Sequence, residues 1–286
     1  MGNDKGSKPP LFLVHGWGGD VFVFLDLVKL LPSDQPIYGI QAVGLDGKSP
    51  RHISIEEMAA HYVKEIVSFQ PDGPIYLAGF SMGGVIAYEM ARQLHRLGRR
   101  VAMLALLDSG PTGKTPWVFY GMAMTVYIPK RCWWHFRRWW RLPFRERFNY
   151  IRGRWTAFRY WMVRNRSRPP IITAAPQQTS ERLEASLGTD YYRAVAHAYQ
   201  LRPYPGAVDI FVSDESNPAW RLYWWHLARG GVSFHRVSGG HLQIILSPDY
   251  MPEMAKSLTA VLLRAQEKEA RAIPSRNEHS HANLVS

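Results

Sequence analysis

The stretch Gly79-Phe80-Ser81-Met82-Gly83-Gly84 narrows most sharply what this chain can fold into. An apolar run, Ile75–Ala78, leads into it, and an amphipathic segment from Met82 to Leu97 follows. A strand that turns this tightly into a helix would make side chains at the flanking positions collide, so glycine stands at 79 and 83. Ser81 is pushed onto the tip with its hydroxyl exposed, at the positive end of the following helix. This is the G-x-S-x-G nucleophile elbow, and its context of strand before and helix after is the one the motif requires.

Such an elbow needs a sheet, and the rest of the chain provides the pattern of one. Short apolar runs at Leu11–Val14, Ile37–Gln41, Ile75–Ala78, Ala102–Leu107, Val208–Val212 and Val232–Val237 read as buried strands. Helices are predicted between them. Ser54-Ile55-Glu56-Glu57 is a capping box opening a helix to about Phe69, Met82 to Leu97 ends at Gly98, and a last helix begins at Ser247-Pro248 and runs to about Gln266. Alternating strands and helices predict an α/β fold with a mainly parallel sheet covered on both faces. The predicted core occupies 10–110 and 200–268. A helical insertion spans 111–199, with a flexible N-terminus over 1–9 and a disordered tail over 269–286.

A serine needs a base. His241, in Val237-Ser238-Gly239-Gly240-His241, follows the last strand, where an elbow of this kind receives its histidine. The acid has two candidates on the residues alone. Asp108 ends the strand Leu104–Leu107, and Asp214 follows the strand Asp209–Val212. An oxyanion needs two backbone N–H donors near the serine. Met82 would supply one, and the turn His15-Gly16-Trp17-Gly18-Gly19 would supply the other from Trp17.

The runs LFLVHGWGGD, IYGIQAVGLDG, SIEEMAAHYV, PIYLAGFSMGGVIAYEMARQL and LALLDSG, with RPYPGAVDIFVS and VSGGHLQIILSPDY later, resemble the thioesterase domains that terminate nonribosomal peptide and polyketide synthases. The resemblance covers roughly residues 10–265 and is weakest in the insertion. It implies the α/β-hydrolase fold with an inserted helical lid. It also implies a serine hydrolase that releases an acyl or peptidyl chain from a carrier-protein phosphopantetheine thioester, by hydrolysis or cyclisation, with no cofactor and no metal. In that family the acid follows the strand after the elbow. That favours Asp108, 27 residues beyond Ser81, over Asp214. No carrier-protein segment is recognisable in the chain, so the thioester is expected from a separate carrier, a coenzyme A thioester or a parent synthase. A carboxylesterase or lipase of the same fold, or a catalytically idle membrane-associated binding protein, are the alternatives.

The net charge of +12 suggests nucleic acid until it is located. Residues 111–170 hold 14 Lys/Arg and a single acid, Glu146, whereas the remainder holds 21 basic and 22 acidic residues. Seven of the 11 tryptophans share that segment. The basicity therefore belongs to the insertion, and with no reading module beside it, nucleic-acid binding is not expected. Phe144, Phe148, Ile151, Trp155, Phe158 and Met162 form one helical stripe, and Pro143 separates it from an earlier piece bearing Trp133, Phe136 and Trp140. Packed as a lid, this stripe would wall an acyl pocket with Trp133, Trp140, Phe144 and Trp155. The arginines would face solvent, an acidic carrier protein or a membrane surface. The opening MGNDKGSKPP has no signal-peptide stretch, Gly6 stands where a myristoylation motif needs Ser or Thr, and Cys132 is the only cysteine. These features make cytoplasm the expected compartment.

Overall fold

A computed structural model describes residues 6–45, 52–111, 125, 129, 132–133, 136–137, 139–144, 146–152, 155, 191–192, 194–217 and 219–272. The chain runs β1 (Leu11–Val14), a 3-10 turn (Phe22–Phe24), α1 (Leu25–Lys29), β2 (Ile37–Ile40), α2 (Ile55–Phe69), β3 (Ile75–Phe80), α3 (Met82–Arg96) and β4 (Val101–Leu107). After the insertion come β5 (Val208–Val212), α4 (Ala219–Leu227), β6 (Val232–Arg236), α5 (Gln243–Leu246) and α6 (Met251–Ala272). The strands form one six-stranded sheet in the order β2-β1-β3-β4-β5-β6, and every described pairing is parallel.

Period-2 alternation divides the core into two layers. Phe12 and Val14 of β1, Leu77 of β3, Leu104 and Leu106 of β4 and Ile210 of β5 face α2 and α3. Their neighbours Leu13, Ala78, Ala105, Leu107 and Phe211 face α1, α5 and α6. Both faces are therefore covered, which is why the central strands read as unbroken apolar runs. The capping box at α2 closes as expected. Ser54 Oγ accepts from the Glu57 amide at 3.1 Å, while the Glu57 carboxylate accepts from the Ile53 amide at 2.8 Å. Gly98 ends α3 with φ +71°, a left-handed stop that glycine adopts without strain.

Four boundaries differ from expectation. Residues 6–9 are tied to the core rather than flexible: Lys8 pairs with Asp34 at 2.9 Å, and Gln35 Nε2 donates to the Pro9 carbonyl at 2.7 Å. Residues 1–5 lie outside the described residues. The last helix starts after a turn, at Met251 instead of Pro248, because the short α5 occupies Gln243–Leu246 first and Ser247 is extended. It also continues through 269–272, expected to be disordered, where Glu269 pairs with Arg100 at 2.8 Å; residues 273–286 are not described. Finally, the end of the predicted lid belongs to the core. Tyr192, Val195, Ala196 and Tyr199 are buried in the layer that holds α2 and α3.

One buried charge holds that returning segment. Glu89, on α3, is buried; Tyr199 Oη donates to its carboxylate at 2.7 Å, Gln93 at 3.1 Å and Arg96 at 3.3 Å, and Arg92 closes on it as an ion pair. Arg96 reaches solvent, but Arg92 and Tyr199 are largely shielded, so removing the Glu89 charge leaves them with little water in its place, at a cost of about 3–5 kcal/mol. Glu89→Ala is therefore expected to lose about 3 kcal/mol or more of stability in urea unfolding, and Tyr199→Phe about 2 kcal/mol. The two losses should fall short of additive in the double variant. Full additivity would mean that Tyr199 and Glu89 do not act as one unit.

Candidate active site

Three carboxyl ends of adjacent strands build the site. The Ser81 amide donates to the Leu107 carbonyl at 2.9 Å, and the Asp108 amide donates to the Phe211 carbonyl at 2.9 Å, so the ends of β3, β4 and β5 are locked side by side. Ser81 has φ +56° and Asp108 φ +49°, left-handed values that cost a non-glycine residue of order 1–3 kcal/mol. The surrounding packing leaves no alternative at the elbow. A Cβ on Gly79 would run into the Gly83 carbonyl, and one on Gly83 into the carbonyls of Val14 and His15.

On this frame Ser81, His241 and Asp108 form one hydrogen-bonded chain. Ser81 Oγ lies 3.0 Å from His241 Nε2, and His241 Nδ1 lies 2.6 Å from Asp108 Oδ2. Ser81 and Asp108 are buried, whereas the His241 side chain is part-exposed and stacks on Phe80, with ring centroids 4.8 Å apart. In this arrangement Nδ1–H donates to the carboxylate and Nε2 can accept the serine proton. Of the two acid candidates, only Asp108 meets the imidazole. Asp214 turns outward, where it accepts from Arg236 at 2.9 Å and from the Gly239 amide at 3.1 Å.

Two serines complete the acid's surroundings and were not singled out by motif. The Ser213 amide donates to Asp108 Oδ1 at 3.0 Å, Ser213 Oγ donates to Oδ2 at 2.9 Å, and Ser216 Oγ donates to Oδ1. Burial pushes the Asp108 carboxyl up. The hydrogen bonds from His241, the Ser213 amide and Ser216 together outweigh it and hold the group below its ordinary range. The signal for them was positional. Ser213-Asp214-Glu215-Ser216 follows β5, the strand beside β4, so its donors fall at the end of β4. Glu215 contributes too, accepting from the His241 amide at 3.2 Å.

Trp17 touches the serine in an unexpected way. Its indole Nε1–H donates to Ser81 Oγ at 3.0 Å, a side-chain contact where only its backbone amide was expected to matter. The loop that carries Trp17 is held by His15, which is buried beneath it. His15 Nδ1 lies 2.7 Å from the Gly16 carbonyl and Nε2 2.9 Å from Tyr62 Oη. The first contact requires a protonated Nδ1, and burial keeps the ring neutral, so Nε2 accepts from the tyrosine. Met82 opens α3, so its N–H belongs to the first turn, where a helix offers no acceptor of its own.

The four lid aromatics do not reach this centre. Trp133, Trp140, Phe144 and Trp155 are 61, 62, 86 and 60% exposed, so as placed they wall no pocket. In the piece before Pro143 the rings meet their own helical neighbours instead. Trp133 stacks on Phe136 and Phe136 meets Trp140, with centroids 6.0 and 5.8 Å apart. Among the described residues, neither buried layer of the core includes a side chain from 112–190.

Burial lowers the His15 pKa to about 4. Between that value and the ordinary 6.5, the unfolded chain binds a proton that the folded one refuses, so stability falls as pH drops through this window. The loss attributable to His15 is about 3 kcal/mol. In thermal unfolding followed from pH 7 to pH 4, His15→Asn should show a shallower acid decline than the native chain, whatever its starting stability. An equally steep decline would remove His15 as the source.

A family model for the thioesterase domain matches residues 9–261. The malpibaldin synthetase of Mortierella alpina is 44% identical over 105 residues, 37% of this chain and 2% of that protein. The dimodular nonribosomal peptide synthase of Bacillus subtilis (strain 168) is 40% identical over 112 residues, 39% of this chain and 5% of that protein. The chain thus matches only a small part of the length of these curated relatives. The NocB thioesterase domain, solved as a covalent complex with a fluorophosphonate nocardicin G analogue, superposes with a TM-score of 0.64 at 23% identity, covering 91% of this chain and 97% of that one. Its likeness is one of fold, the α/β-hydrolase-like parallel sheet with helices on both faces. With a family match over most of its length, the chain belongs to the thioesterase-domain family.

Proposed function

We propose that this thioesterase domain works through a Ser81–His241–Asp108 triad that releases an acyl or peptidyl chain from a phosphopantetheine thioester. The observation that carries the reading is the continuous chain of contacts at 3.0 and 2.6 Å from hydroxyl to imidazole to a buried, ionised carboxylate. Ser81 Oγ attacks the thioester carbonyl carbon while its proton passes to His241 Nε2. Asp108 holds the ring in the Nδ1–H tautomer and stabilises the imidazolium. The C–S bond breaks, His241 returns the proton to the departing sulfur, and the acyl group remains on Ser81. Water, or a nucleophile within the acyl chain, then attacks the ester, with His241 now taking that nucleophile's proton and passing it back to Ser81.

The amides of Met82 and Trp17 are the proposed oxyanion donors. The Trp17 indole has a separate part in the resting site. By donating to one lone pair of Oγ, it leaves the hydroxyl hydrogen to point at His241. The acyl donor is a carrier protein bearing the phosphopantetheine arm, a proposal supported by the synthetases among the chain's relatives. We assign the work to the cytoplasm, on the reading that a chain whose only cysteine is Cys132 suits a reducing compartment.

The test is turnover of acyl-pantetheine thioesters by the native chain and two variants. Asp108→Asn leaves an amide that favours the wrong imidazole tautomer, and kcat should fall by about 10⁴-fold. Asp214→Asn loses only its surface contacts with Arg236 and Gly239 and should stay within a few-fold of native. Loss of turnover in Asp214→Asn alone would reverse the assignment of the acid. A native chain inert toward every thioester would overturn the activity itself.

A further inference from the structure

The Trp/Arg-rich part of the insertion offers apolar rings and cations together, and among the described residues none of its side chains joins the buried core layers. Two helical pieces meet at Leu142-Pro143, where the ring of Pro143 breaks a continuous helix. Arg147 clamps the joint. Its guanidinium lies 5.2 and 5.5 Å over the Trp139 and Trp140 rings and donates to the carbonyls of Leu142 at 3.0 Å and Trp140 at 2.9 Å. The elbow is therefore fixed by stacking and hydrogen bonds, and it leaves its other rings outside. Phe136, Phe148 and Ile151 are exposed along with the four aromatics described above, and Arg137 and Arg141 are exposed among them.

We propose that this elbow docks on an anionic lipid surface. Charge complementarity and the chemistry of the exposed rings carry the choice. A segment with 14 basic residues against one acid seeks a negative partner, and phosphate groups satisfy guanidinium with paired, charge-assisted hydrogen bonds. An acidic partner bound through charge alone would answer the arginines but not the large exposed rings beside them, and soluble monomers rarely keep so large an apolar patch in water. At the membrane interface both are satisfied. Tryptophan rests at headgroup level, phenylalanine and isoleucine enter the acyl boundary, and the arginines stay with the phosphates. Among the described residues no helix is long and apolar enough to cross a membrane, so the contact is one of lying on the surface. The inference does not depend on the catalytic reading.

Co-sedimentation of the full chain with phosphatidylcholine vesicles, with and without phosphatidylglycerol, tests it. Binding should require the anionic lipid, weaken as salt rises, and shift tryptophan fluorescence to the blue. Arg137→Gln with Arg141→Gln should lower the partition coefficient about thirtyfold, from ~1 kcal/mol for each arginine. Phe148→Ser with Ile151→Ser should weaken binding at constant charge. Far-ultraviolet circular dichroism and thermal unfolding report that both variants remain folded. Failure to sediment with anionic vesicles would overturn the proposal, as would binding indifferent to both variants. Saturable capture by an acidic carrier protein, with none by vesicles, would overturn it in favour of a protein partner.

Discussion

A carboxylate buried at the end of a central strand is the constraint on which the rest of the site depends. Asp108 is charged, removed from water and placed where the backbone must adopt a left-handed conformation. An ion in that position is tolerable only if its oxygens are fully engaged. The structure meets the demand from two sides: His241 from the loop after β6, and the Ser213 amide and hydroxyl with Ser216 from the turn after β5. Each donor arrives only because the strands are parallel and in register, so the sheet is the means by which one charge is kept ionised. The oriented imidazole, and through it the serine, follow from that.

Much of this was legible in the residues. All six strands lie where the apolar runs place them, within a few residues at each end, because strands covered on both faces have no room for polar interruption. Ser81 and His241 could be located because their roles depend on local turns with strict glycine requirements. Asp108 and Asp214 were not separable on the residues alone, and it was the family resemblance that favoured Asp108. Each follows a strand, and the side-by-side order β4-β5-β6 explains why one is aimed inward while the other pairs with Arg236. Ser213, Ser216 and the Trp17 indole were harder still. Their contacts reach across neighbouring elements, so the position of the two serines after β5 becomes a signal only once β5 is known to lie beside β4.

The insertion marks the opposite limit. Its helical stripe was visible as a period of 3.6, but periodicity identifies an apolar face without saying what covers it. The end of the segment, from Tyr192 to Tyr199, is absorbed into the core by the buried Glu89 cluster. The Trp/Arg elbow, by contrast, keeps its rings outside. One insertion thus carries a structural anchor at one end and an uncovered aromatic, cationic surface farther in, and two such different environments could not be separated by composition alone.

The central claim is that Ser81 becomes acylated. Intact-protein and peptide mass spectrometry after brief exposure to an acyl-pantetheine thioester measures this directly. The account predicts a mass increase equal to the acyl group, located on Ser81 and absent in Ser81→Ala. Acylation at another residue, or turnover that survives in Ser81→Ala, would contradict it.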